Sequence, residues 1–353
     1  MISYFLGANS PKGFYSLYDE LIHREEAKGI YILKGGPGCG KSTFMKRVAA
    51  AAQAAGQPAE QIFCSGDPNS LDALVLPGLG AALVDGTAPH VVEPKLPGAV
   101  DHYVNLETCY DAEALSSIRG QLESAMAGYK GCYDRAYHCL SAAAEIESDC
   151  RSLLESRHLD SKIARRARGL LSREFRGEKP QNGKVCRRFL SAVTCQGRVC
   201  LWETVQELCR KIYVLEDSYG LSHRLLAPLL EGALPLGQNV VVCPHPMDPE
   251  HIEHLLFPGL GLAFVTSSPE LSFPGKAHRK IRLDAMADPE LLRRYRPRLR
   301  FGKKVAAALM AEAVSSLAEA KAMHDKLEAL YNPHVDFSLG ETLADQLIQK
   351  LGL

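Results

Sequence analysis

Gly35-Gly36-Pro37-Gly38-Cys39-Gly40-Lys41-Ser42 is a complete G-x-x-x-x-G-K-S stretch, and its flanks decide how it reads. The apolar run Ile30-Tyr31-Ile32-Leu33 before it reads as a buried strand. Thr43-Phe44-Met45-Lys46-Arg47-Val48 and an alanine-rich tail after it read as a helix. Glycines between a strand and a helix let the backbone turn tightly and aim successive amides at an anion. The helix adds its positive N-terminal end to the same place. The expected ligand is a nucleoside triphosphate with Mg²⁺, cradled by residues Gly35 to Thr43. Lys41 would reach the β- and γ-phosphates, and the Ser42 hydroxyl would ligate the metal.

The chain has 353 residues, enough for two domains. Its 41 basic and 41 acidic residues cancel, so no overall field favours nucleic acid or an acidic membrane surface. Eleven cysteines make an odd count with no C-x-x-C pair, and Cys39 lies inside the loop. Reduced thiols in a cytoplasmic protein fit that pattern. Met1 to Leu6 lacks the basic and apolar segments of a signal peptide, and no apolar run approaches the roughly 20 residues of a membrane span. Self-association is left open.

Reading for internal repeats reorganises the chain. Asp67-Pro68 through Leu74, then Pro77-Gly78-Leu79-Gly80-Ala81-Ala82-Leu83-Val84, returns as Asp248-Pro249 through Leu255, then Pro258-Gly259-Leu260-Gly261-Leu262-Ala263-Phe264-Val265. Gly13 pairs with Gly197 and Cys64 with Cys243. Val104-Asn105-Leu106-Glu107 followed by Asp111 pairs with Ile281-Arg282-Leu283-Asp284 followed by Asp288. The chain therefore reads as a duplicated domain, with a boundary where Gly, Pro, Asn and charges cluster between Gly177 and Lys184.

The same register finds the second copy's loop. Tyr31-Ile32-Leu33 pairs with Tyr213-Val214-Leu215, so the eight loop positions become Asp217-Ser218-Tyr219-Gly220-Leu221-Ser222-His223-Arg224. Three of four glycines are gone, His223 stands for Lys41 and Arg224 for Ser42. The second copy should bind no triphosphate.

Each copy reads as a short leading helix, the loop strand and its helix, and then a second strand at Gln61 to Cys64 or Val240 to Cys243. A third strand follows the Pro-Gly-Leu-Gly turn, and a fourth precedes an Asp-capped helix. The expected fold class is α/β: two tandem P-loop NTPase-like three-layer domains, 1–178 and 179–353, with mostly parallel sheets and helical extensions. Asp111 to about Arg176 reads as a helical hairpin whose Lys162 to Arg168 segment is locally basic, most simply a solvated face and otherwise a partner or nucleic-acid contact. A helix near Val305 to Leu330 and a short one near Gly340 to Leu351 close the chain.

Leu79-Gly80-Ala81-Ala82-Leu83-Val84-Asp85 is an apolar strand ending in an acid, the pattern of the carboxylate that holds Mg²⁺ beside a phosphate loop. The second copy has Thr266 there, so both metal positions are lost together. No glutamate follows Asp85; Gly86-Thr87-Ala88-Pro89-His90 does. Asp67, Asp72 and His90 are the candidates for orienting the attacking water. Asp67, which opens Asp67-Pro68-Asn69-Ser70, reads equally as a helix cap. Cys243, His245, His251 and His254 match no standard zinc spacing.

With these residues in view, the chain resembles a little-characterised bacterial family of tandem P-loop ATPase-like proteins. The matching stretches are Ser10 to Phe14, Ile32 to Thr43, Asp67 to Asp72 and Val84 to His90. The resemblance implies ATP binding and hydrolysis, and supplies no pathway. Family members usually carry an intact loop in both halves, so Asp217 to Arg224 is a departure. The leading expectation is a Mg²⁺-dependent ATPase whose second copy, a pseudo-NTPase, contacts and regulates or completes the first. One alternative is a small-molecule or nucleotide kinase with Lys12, Asp67 and His90 lining an acceptor pocket. The other is a non-catalytic ATP-dependent sensor or scaffold.

Overall fold

The computed structural model describes residues 1–88, 91–175 and 181–353. The first repeat contributes strands β1 (Ile2–Phe5), β2 (Gly7–Ser10), β3 (Gly13–Ser16) and β4 (Gly29–Lys34), then helix α1 (Lys41–Ala54). Strands β5 (Glu60–Phe63), β6 (Leu71–Leu76), β7 (Ala81–Asp85) and β8 (Asp101–Asn105) follow, and then helices α2 (Ala112–Ser117), α3 (Arg119–Ser152) and α4 (Arg157–Glu174). The second repeat gives β9 (Val185–Arg187), β10 (Ser191–Thr194), β11 (Gly197–Cys200), α5 (Trp202–Leu208), β12 (Lys211–Glu216) and α6 (Ser222–Ala233). It ends with β13 (Val240–His245), β14 (Asp248–Phe257), β15 (Leu262–Ser267), β16 (Arg279–Arg282), α7 (Pro289–Tyr331) and α8 (Phe337–Leu351).

The two six-stranded sheets have one topology. The orders are β1-β5-β6-β7-β4-β8 and β9-β13-β14-β15-β12-β16, the same path through equivalent strands. Both are mixed: β6 and β14 run antiparallel to both neighbours, and the remaining pairs are parallel. Local details repeat as well. Gly13 and Gly197 turn the β2–β3 and β10–β11 hairpins at φ 98° and 104°, and Gly80 and Gly261 follow matching Pro-Gly-Leu turns at φ 62° and 58°. Phe5 and Phe189, equivalent residues, exchange amide hydrogen bonds of 2.9 Å each way. Such a reciprocal bridge is what a pseudo-twofold axis between the repeats requires.

Alternation along the strands assigns the faces. Ile30, Ile32, Val84, Ile212, Val214 and Val265 belong to one buried cluster joining the facing sides of the two sheets. Tyr31, Leu33, Leu74 and Leu83 turn outward under α1. Tyr213, Leu215, Leu255 and Phe264 turn outward under α6.

Four expectations need correcting. The repeats are not two separate three-layer domains, because the inner faces of the two sheets share one buried core. The Asp67 segment begins no helix. Leu71 to Leu76 is a wholly buried strand, and a strand covered on both faces is apolar without alternation, so its period is silent. The first repeat has no leading helix either; β1, the hairpin and a single turn at Tyr18–Glu20 stand there, and only the second repeat has α5. Finally, α3 does not fold back on α4 as a hairpin. It packs along α7 of the second repeat, closely enough that a Cβ on Gly302 would meet Cys150 Sγ at 2.3 Å.

The outer helices are exchanged. Leu159, Ile163, Ala167 and Leu170 of α4, from the first repeat, cover the second sheet beside α6. Ala344 and Leu347 of α8, from the second repeat, cover the first sheet beside α1. At about 1.5 Å per residue the 34-residue α3 spans about 50 Å, enough to carry the chain across. The expected sequence boundary at 178/179 lies outside the described residues, and packing does not follow it, because each sheet is roofed by the other repeat's last helix.

Candidate functional site

The loop Gly35 to Ser42 leaves the end of β4, and β7 lies directly beside β4 in parallel register, Leu33 opposite Asp85. The two segments singled out forty residues apart therefore end at one point of the sheet edge. Gly38 and Gly40 have φ of 71° and 84°, a region that disfavours any side chain. A Cβ on Gly35 would lie 2.6 Å from Cys39 Sγ, so the loop closes only around glycine there. Asp111, Ser156, Asp288 and Asp336 accept amide hydrogens at the starts of α2, α4, α7 and α8. Gly40, at the start of α1, provides no such side chain. The first-turn amides of α1 are thus left for an outside acceptor.

Lys41 Nζ donates to the carbonyls of Gly35 (2.7 Å) and Gly36 (2.9 Å) and stands 3.7 Å from Asp85 Oδ2. Thr87 fixes Asp85 by donating to Oδ1 from both its amide (2.9 Å) and its hydroxyl (2.6 Å). Burial raises the Asp85 pKa, opposed by Lys41 and Thr87, so its charged form is favoured by any further cation. Ser42 Oγ accepts the Leu71 amide at 2.9 Å, which leaves the hydroxyl a proton and a second lone pair. Thr43 is exposed on the first turn of α1.

Other candidates go elsewhere. Asp72 is buried and accepts a hydrogen bond from the Tyr18 hydroxyl at 3.0 Å; its charge also helps raise the Asp85 pKa. His90 lies outside the described residues. Asp67 accepts the Asn69 amide at 3.1 Å and pairs with Lys321 of α7 at 3.2 Å. Lys12 sits in the β2–β3 turn. Cys243 is in the core between the sheets. His245 faces Arg198, His251 pairs with Asp248, and His254 accepts the Thr266 amide, so the four make no metal shell.

The exchange adds residues that no local pattern announces. A Cβ on Gly38 would lie 2.7 Å from the Asn332 side-chain amide and 3.3 Å from the Glu328 carbonyl, at the junction of α7 and α8. Tyr110 donates to the Pro37 carbonyl at 2.9 Å and packs against Tyr331, ring centres 5.4 Å apart. Phe337 flanks Gly40. The second repeat thus walls the first repeat's loop, and the only sequence hint was the repeat itself.

In the second copy the loop has closed on its own anion. Asp217 is buried; its carboxylate accepts the amides of Tyr219 (3.0 Å) and Ser222 (2.7 Å), and that of Leu221. Leu221 and Ser222 are the counterparts of Cys39 and Gly40. Burial pushes the Asp217 pKa up, and the three amides pull it back. His223 Nδ1 accepts the Ile252 amide at 3.0 Å, the counterpart of the Leu71 amide held by Ser42. Arg224 turns away to Asp160 (2.7 Å) and Glu155. Asp217→Ala should cost about 1–3 kcal/mol in urea unfolding, because buried amides lose their acceptor; an unchanged midpoint would count against this role for the carboxylate.

Among the described residues no helix is long and apolar enough to cross a membrane, and all eleven cysteines are free thiols. Comparison of the chain with protein-family models, curated proteins and solved structures gives no match.

Proposed function

We propose that the first repeat binds ATP with Mg²⁺ at Gly35 to Thr43 and hydrolyses it, and that the second is a pseudo-NTPase that completes the first. The observation that carries this reading is the meeting of Lys41 and Asp85, 3.7 Å apart, at an uncapped helix start behind glycines of positive φ. Lys41, now satisfied by two loop carbonyls, would exchange them for phosphate oxygens. The amides of Gly38 to Ser42 would surround the same group and neutralise charge as it develops. Mg²⁺, when bound, would spread charge over the β- and γ-phosphates, held by Ser42 and, through water, by Asp85. Asn332 and Tyr331, against Gly38 and Tyr110, are how the second repeat would shape the site.

Isothermal titration of Mg²⁺-ATP should give one nucleotide per chain. Steady phosphate release without an acceptor supports hydrolysis; ADP formed only with an added acceptor would mean a kinase, and binding without turnover a sensor. Two nucleotides per chain would overturn the pseudo-NTPase assignment. Asp85→Asn should shift the Mg²⁺ dependence of turnover roughly tenfold upward, since one charge-assisted contact contributes roughly 1.5–3 kcal/mol. A wild-type magnesium titration would remove Asp85 from the metal's surroundings.

A further inference from the structure

Away from the phosphate loop, α4 and β16 enclose a groove of about 530 Å³. Lys162, Arg165, Arg166 and Arg173 line it from α4, Lys280 and Arg282 from β16. On α4 they recur with Gly169 at spacings that keep one helix face, beside the stripe of Leu159, Ile163, Ala167 and Leu170 buried on the second sheet, and Leu170 borders both. The sequence reads Lys162 to Arg168 as a solvated face; the exchange of α4 onto the second sheet instead sets it against two more cations.

Among the described residues the neighbouring acids are taken. Glu155 and Asp160 hold Arg224, Glu174 holds Lys211 and Tyr213, and Glu216 holds Lys280 at 3.0 Å. Among the described residues no carboxylate pairs with Lys162, Arg165, Arg166 or Arg282. In a chain whose formal charges cancel, the five cations gathered in one concavity beside the paired Lys280 repel each other unless a further anion joins them.

We propose that this groove binds a small molecule carrying two or more phosphate groups. Its volume lies within the roughly 300–1,000 Å³ of small-ligand sites. Four guanidinium groups offer the paired donors that match phosphate oxygens. Leu170, Ala285 and Met286 add apolar surface to the lining, and Gly169 leaves room beside the helix. Among the described residues no aromatic ring lines the groove, so these supply none of the stacking platform that single-stranded nucleic acid uses. Asp284, which accepts the Ser218 amide at 2.9 Å, connects the groove to the closed loop of the second repeat. A ligand there would touch both repeats, since α4 comes from one and β16 from the other.

The test is isothermal titration of sodium tripolyphosphate into the full chain carrying Lys41→Ala, so that the phosphate loop does not report. One tripolyphosphate should bind per chain, and Arg165→Ala with Arg282→Ala should weaken it at least tenfold without moving the thermal midpoint, because both side chains are exposed. No binding, or equal binding by the double variant, would overturn the site. A single-stranded RNA or duplex DNA oligonucleotide that binds more tightly than tripolyphosphate, with the same loss in the double variant, would overturn the compact ligand and give the groove to nucleic acid.

Discussion

Lys41→Ala should lower ATP affinity by about ten- to a hundredfold and take phosphate release to background. The loop proper contains no other side-chain cation, and a charge-assisted phosphate contact contributes roughly 1.5–3 kcal/mol. The fold should survive. Lys41 is tied to two loop carbonyls and Asp85, and those bonds support no other element. Titration with Mg²⁺-ATP and a phosphate-release assay on a variant with wild-type thermal midpoint decide the matter. Unchanged binding and turnover would refute the site.

Leu347→Ala should destabilise the half of the molecule to which residue 347 does not belong by sequence. Leu347 is 6% exposed and, with Ala344, packs in the cluster of Phe44, Met45, Val48 and Leu83. Removing a buried leucine side chain costs about 2–5 kcal/mol. Hydrogen exchange should therefore quicken in α1 and β4, with a parallel loss of ATP affinity, while α6 and β12 stay protected. Faster exchange confined to α6 and β12 would rule out the exchanged packing. Leu170→Ala in α4 should give the mirror result.

What was legible in the sequence was what local period and spacing encode. The strand–glycine–helix order placed β4 and α1, and an apolar run ending in an acid placed β7 and Asp85. Duplication was legible because Pro77 to Val84 and Pro258 to Val265 repeat residue types tied to one turn geometry. It reached the second loop at Asp217, though not the carboxylate's bond to its own loop amides. Strand β6 was missed because burial on both faces erases alternation. The partners of α3, α4 and α8 were missed for a different reason. An amphipathic stripe such as Leu159, Ile163, Ala167 and Leu170 specifies that a helix is covered, and either sheet could cover it. Asn332, Tyr331 and Phe337 reach the loop only through that choice.

The exchanged roofs also fix when during synthesis the molecule can be finished. The loop, its lysine and its strand emerge from the ribosome before any of the second repeat, and the wall at Asn332 and the roof at Leu347 are translated only after the second sheet is complete. Until then α1 would expose the face of Phe44, Met45 and Val48, which a chaperone could hold. A prematurely terminated product would contain every residue of the phosphate loop and still lack the enclosure around it. Enclosure of the loop therefore waits on translation of the second repeat.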